Sequence, residues 1–126
     1  MARLLVDSHV LLWHLVDDSR LGPEPTAAIE APNAEVFVST ASIWEIAIKT
    51  ALGKLDAPDD LPARAEQAGF RLLSVIADHA WQVRQLPHHH RDPFDRLLIA
   101  QAQVEGLSIV TADSSFDAYG VTVVWG

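Results

Sequence analysis

The chain has 126 residues, 49% apolar and 21% charged, which suits one globular domain over 1–126 and excludes a disordered or low-complexity scaffold. It has no cysteine, so a disulfide framework and a thiolate zinc site are both excluded, and a reducing compartment, the cytoplasm, is expected. Seventeen acids against nine Lys and Arg give a formal net charge of −8, which opposes attachment to polyanions unless acids gathered at one site hold cations that reverse the local field.

The first apolar run, Leu4-Leu5-Val6, has the continuous hydrophobicity of a strand buried on both faces, and a helix is expected over about 8–16. Asp7, His9 and His14 interrupt this apolar start, so no signal peptide is expected there, and no run reaches the ~18 apolar residues needed to cross a bilayer. Asp7 at the strand's end faces the crevice of a parallel fold; the alternative is that it caps the helix, as Ser8 equally can. Helical spacing returns over about 24–31, and a second strand is expected at Val36-Phe37-Val38. Ser42-Ile43-Trp44-Glu45 has the spacing of a capping box, which opens a helix over about 42–53 with Glu45 in its first turn. Trp44, Ile46 and Ile48 surround that acid, so it is expected to be partly buried and in need of a cation or hydrogen bonds.

A helix over about 60–68, a strand at Leu72-Leu73-Ser74-Val75 and a helix over about 77–86 follow. His88-His89-His90 resembles a metal cluster, but adjacent residues do not aim three rings at one ion, and a solvated loop is favoured. Pro93 suits the first position of a helix over about 93–105, which makes Asp92 its N-cap and a structural residue. Asp95 then falls at the third position, where the helix dipole favours its ionised form; a capping role is the alternative. Ser108-Ile109-Val110 is the fourth strand, and Thr111-Ala112-Asp113 follows, an ordinary turn acid or a site acid with Thr111 able to hydrogen-bond a neighbouring carboxylate or water. Val121-Thr122-Val123-Val124 closes the series.

Strands alternating with helices give a three-layer α/β/α domain with a central parallel sheet of about five strands and right-handed crossovers, its site beyond the carboxyl ends of the strands. Asp7, Glu45, Asp95 and Asp113 stand at strand ends or in first helical turns, positions that converge in such folds. Four like charges at close quarters require protons or cations, and an all-oxygen donor set points to magnesium or manganese. Lys49, Arg91 and Arg96 read equally as phosphate contacts or as solvated surface. The four Trp read as core or subunit contacts, and Leu11, Leu12, Trp13, Trp44 and Leu52 near helix surfaces suggest a homodimer. A haloacid-dehalogenase phosphatase needs D-x-D where this chain has Asp7-Ser8-His9, and a receiver switch needs adjacent acids and a strand-end Lys that are not evident.

Four ordered blocks carry a more specific signal: Leu4-Leu5-Val6-Asp7 with Leu12-Trp13; Ser42-Ile43-Trp44-Glu45-Ile46-Ala47-Ile48-Lys49; Asp92-Pro93-Phe94-Asp95 running on to Ala102; and Thr111-Ala112-Asp113 with Phe116 and Tyr119-Gly120-Val121. Along nearly its whole length the chain resembles the PIN-domain ribonucleases, and within them the VapC toxins of toxin–antitoxin pairs. The resemblance implies metal ligands at Asp7, Glu45, Asp95 and Asp113 and a magnesium-dependent endoribonuclease that cuts RNA to leave a 5′-phosphate and a 3′-hydroxyl. It also implies inhibition by a co-expressed antitoxin. A PIN fold that only binds partners is the rival, and the intact acids disfavour it.

Overall fold

The computed structural model describes residues 2–88 and 92–125. Among these, β1 (Arg3–Val6), β2 (Glu35–Ser39), β3 (Arg71–Leu73), β4 (Ser108–Val110) and β5 (Val123–Val124) form one parallel sheet in the order β3-β2-β1-β4-β5. The α-helices are α1 (Ser8–Leu15), α2 (Pro23–Glu30), α3 (Thr40–Ala51), α4 (Leu61–Gln67), α5 (Ala77–Gln82) and α6 (Pro93–Glu105). The chain steps outward from β1 through β2 to β3, then crosses to β4 on the other side of β1, so a crevice opens at the carboxyl ends of β1 and β4.

Alternation along the strands divides the interior into two layers. Leu4 and Val6 of β1, Val36 and Val38 of β2 and Val110 of β4 pack with Val10, Leu11 and Leu12 of α1, Ile29 of α2, Ile46 of α3 and Leu61 and Ala65 of α4. On the opposite face, Leu5 and Ile109 pack with Leu98, Ile99 and Ala102 of α6 and with Phe116 and Tyr119 of a 3-10 turn over Ser114–Tyr119. Each fully buried side chain of this size is worth about 1.5–3 kcal/mol, so the three-layer arrangement follows from a central strand with no polar face.

Several expectations change. β3 and β5 are sheet edges: Leu72 is exposed and β5 is half-buried, so burial on both faces holds for the inner strands only. β5 begins at Val123, two residues later than its apolar run. α3 begins at Thr40, because Ser39, at the end of β2, accepts the Ala41 N–H at 3.0 Å and starts the helix earlier than Ser42 could. The helix expected over 77–86 is α5 followed by a 3-10 turn over Val83–Gln85. Leu11 and Leu12 lie in the core and so add nothing to the expected apolar surface, and Trp44 and Trp81 are 62% and 68% exposed rather than core residues.

Candidate active site

Asp7 ends β1 and caps α1, so the two roles weighed for it coexist. Its Oδ1 accepts the Val10 N–H at 2.9 Å and its Oδ2 accepts the Thr111 hydroxyl at 2.5 Å. Thr111, buried past the end of β4, also accepts the Asp113 N–H through Oγ1 at 3.0 Å, which leaves its own proton directed at Asp7. Burial, foremost, and the nearby Glu45 charge raise the Asp7 pKa above its ordinary value, against the opposing pull of the Thr111 and Val10 hydrogen bonds and of His9.

Glu45 sits in the second turn of α3, not the first, and is 5% exposed. Its Oε1 accepts the Ser8 hydroxyl at 2.5 Å, and its Oε2 accepts Lys49 Nζ at 2.8 Å, one turn along the same helix. The pair raises the Lys49 pKa, chiefly through the Glu45 hydrogen bond, and the charges of Asp92 and Asp95 act in the same direction. Pro93 opens α6, Asp92 caps it by accepting the Phe94 and Asp95 N–H groups at 2.8 and 3.3 Å, and Asp95 falls at the third position. Asp113 caps the 3-10 turn, accepting the Ser115 N–H and hydroxyl at 2.9 and 2.6 Å.

Asp7, Glu45, Asp95 and Asp113 line a single cleft of about 100 Å³, together with Ser8, His9, Lys49 and Asp92. As the side chains stand, no group of three His, Asp or Glu among the described residues is closed for a metal ion. A larger apolar cleft of about 260 Å³, between α3 and α4 and lined by Ile43, Ile46 and Leu61, has Asp59 as its one acid and no comparable chemistry. Arg96 is not among the cleft residues; its guanidinium donates to the carbonyls of Pro87, Val83 and Leu86. Arg91, His89 and His90 lie outside the described residues.

Three cleft residues were missed in the sequence. In sequence Ser8 reads as a cap, His9 as a break in the apolar start and Asp92 as structure; nearness to Asp7 and Asp95 is the available signal. A second polar group, away from the cleft, left no trace in sequence. Buried His79 of α5 accepts the Ile76 N–H through Nδ1 at 3.2 Å, which assigns the proton to Nε2, 2.7 Å from Glu105 Oε2 of α6.

No curated protein matches the chain in sequence. Solved structures of similar fold include DNA-bound VapBC from Salmonella typhimurium (TM-score 0.72, 16% identity, 98% of this chain and 97% of that one), VapBC2 from Rickettsia felis bound to a promoter DNA fragment (0.70, 11%, 96% of each), and a toxin-antitoxin complex from Klebsiella pneumoniae (0.64, 19%, 97% and 96%). The PIN domain profile matches residues 4–121, nearly the whole sheet and every acid of the cleft, and the chain therefore belongs to the PIN domain family.

Proposed function

We propose that the chain is a magnesium-dependent endoribonuclease and the VapC-type toxin of a toxin–antitoxin pair, with residues 1–126 acting as one catalytic unit in the cytoplasm. The observation that carries this reading is the convergence of Asp7, Glu45, Asp95 and Asp113 on one cleft at the carboxyl ends of β1 and β4. The donors fit a hard divalent ion: all are oxygens, the cleft is small, and burial raises the Asp7 pKa, a penalty on its charge that a cation would offset. Magnesium, or manganese in its place, would be held by Asp7, Glu45, Asp95 and Asp113, and when bound it supplies an activated water and offsets charge on the scissile phosphate.

The protein's own groups prepare that site. Thr111 fixes the Asp7 carboxylate through its hydroxyl, and Ser8 does the same for Glu45. The first turn of α6 favours ionised Asp95. Among the described residues Lys49 is the lysine or arginine that lines the cleft, and it is positioned to meet an RNA phosphate; Arg91 is proposed for the same role on sequence alone. The expected products are a 5′-phosphate and a 3′-hydroxyl.

The toxin role draws support from the likeness in fold to VapBC structures and to a toxin-antitoxin complex. The expected partner is a co-expressed antitoxin whose tail carries an apolar helix and a basic residue directed at the acids. No described helix is long and apolar enough to cross a membrane. Purified protein incubated with RNA should release fragments with magnesium and none with EDTA, and Asp95→Asn should release none with either. Cleavage in EDTA, or by Asp95→Asn, overturns the metal site. Expression that leaves growth unchanged overturns the toxin role and leaves the nuclease standing.

A further inference from the structure

The cleft already contains a cation. Lys49 Nζ lies 2.8 Å from Glu45 Oε2, and Asp92 and Asp95 line the same cleft. The other Glu45 oxygen holds the Ser8 hydroxyl at 2.5 Å. Both oxygens of a carboxylate that is 5% exposed therefore have donors, and no triad among the described residues is closed for an ion. The Lys49 side chain is not trapped: it springs from the last turn of α3, lines the cleft and is 39% exposed.

We infer that Lys49 is a displaceable counter-cation, which occupies Glu45 in the metal-free protein and leaves it when a divalent ion enters. The inference rests on reading the cleft as a metal site. A divalent ion and an ammonium on one carboxylate, in a space of about 100 Å³, repel each other strongly, and the weaker, singly charged partner yields. The four-carbon stem of lysine lets the ammonium move to the rim by rotation about its own bonds, with no shift of the helix. Lys49 thus has two positions. On Glu45 it offsets the acid charge that would otherwise destabilise the empty cleft, and at the rim it faces the polyanion.

Two measurements test this without relying on cleavage. The first uses the wild type: the chain has two lysines, Lys49 and the exposed Lys54, so Lys54 is an internal control for amine acetylation followed by mass spectrometry. Saturating magnesium or manganese should speed acetylation of Lys49 severalfold and leave Lys54 unchanged, because the ammonium loses its carboxylate and reaches solvent. The second is metal affinity by calorimetry. Lys49→Met, and Lys49→Gln as the milder variant that keeps a donor, should bind manganese about tenfold more tightly, equivalent to about 1.4 kcal/mol. Lys54→Met, which changes the net charge equally, should stay within about twofold of wild type, a bound set by screening of exposed charges. In EDTA the Lys49 variants should melt below wild type, and the rise in Tm on adding metal should be larger for them. Unchanged or slower Lys49 acetylation with metal, or variants that bind metal with wild-type or lower affinity, overturns the inference while metal binding by the wild type keeps the site. Failure of the wild type to bind either ion overturns the site and the inference together.

Discussion

Asp7 concentrates the tension of the cleft in one residue. Its pKa is raised, foremost by burial, so the folded protein holds a proton there to higher pH than the unfolded chain. The stability it contributes is complete below the unfolded value of 3.8 and is lost as pH rises through the folded value. Asp7→Asn should therefore melt above wild type in EDTA at neutral pH, and the difference should vanish as the buffer is taken below 3.8, while RNA cleavage falls to background. Thermal melts across that range, paired with cleavage assays, check both signs; a variant that is less stable at neutral pH would mean that the cap on Val10 outweighs the buried charge. Thr111→Val should remove the donor to Asp7 and the acceptor for the Asp113 N–H, lowering cleavage roughly 10–100-fold, and Thr111→Ser should restore most of it. Asp7 and Asp95 could be placed from sequence because strand ends and proline-opened helices have local signatures. The bond between Thr111 and Asp7 could be foreseen only as a capacity, since its partners directly follow β4 and β1 and meet only when the sheet forms. The Ser8–Glu45 bond was out of reach for the same reason.

At the scale of elements, caps decide where helices begin and hence which side chains reach the cleft. Ser39→Ala and Asp92→Ala should each cost about 1 kcal/mol in urea denaturation, the usual loss for a missing N-cap. They should differ in metal response: the Ser39 variant keeps it, whereas the Asp92 variant weakens it, because Asp92 also lines the cleft. Gly106 ends α6 at φ 69°, so Gly106→Ala should cost about 1–2 kcal/mol through backbone strain alone. The misplaced start of α3 shows what local pattern leaves out. Ser42-x-x-Glu45 satisfies the capping box in sequence, yet Ser42 is buried inside the helix and Ser39 holds the cap, since the sheet fixes where β2 stops. Apolar runs located all five strands, but the edges could not be told from the centre, because strand order is a property of pairing and is not written in any single run.

At the scale of the whole molecule, Trp44, Ile48 and Leu52 form an exposed stripe at helical spacing on α3, next to the half-buried Phe94 ring, 5.3 Å from Trp44. The expected cover is a second copy of the chain. Light scattering at micromolar concentration should give twice the 13.8 kDa of one chain, and Leu52→Glu should give the single mass; a wild type at 13.8 kDa removes the homodimer. Saturation with magnesium at about 100 times its Kd should stabilise the wild type by about 2.7 kcal/mol, and Asp95→Asn by much less. The sheet order has one more effect. β1 is paired on both sides, β3 and β5 on one, so opening fluctuations should begin at the edges and reach Asp7 last. Amide hydrogen exchange should be slowest at Leu5 and Val6 and fastest around Leu72. A domain built this way keeps the anchor of its acids closed while its margins breathe, so partial unfolding at the rim would leave the cleft able to close again on the same geometry.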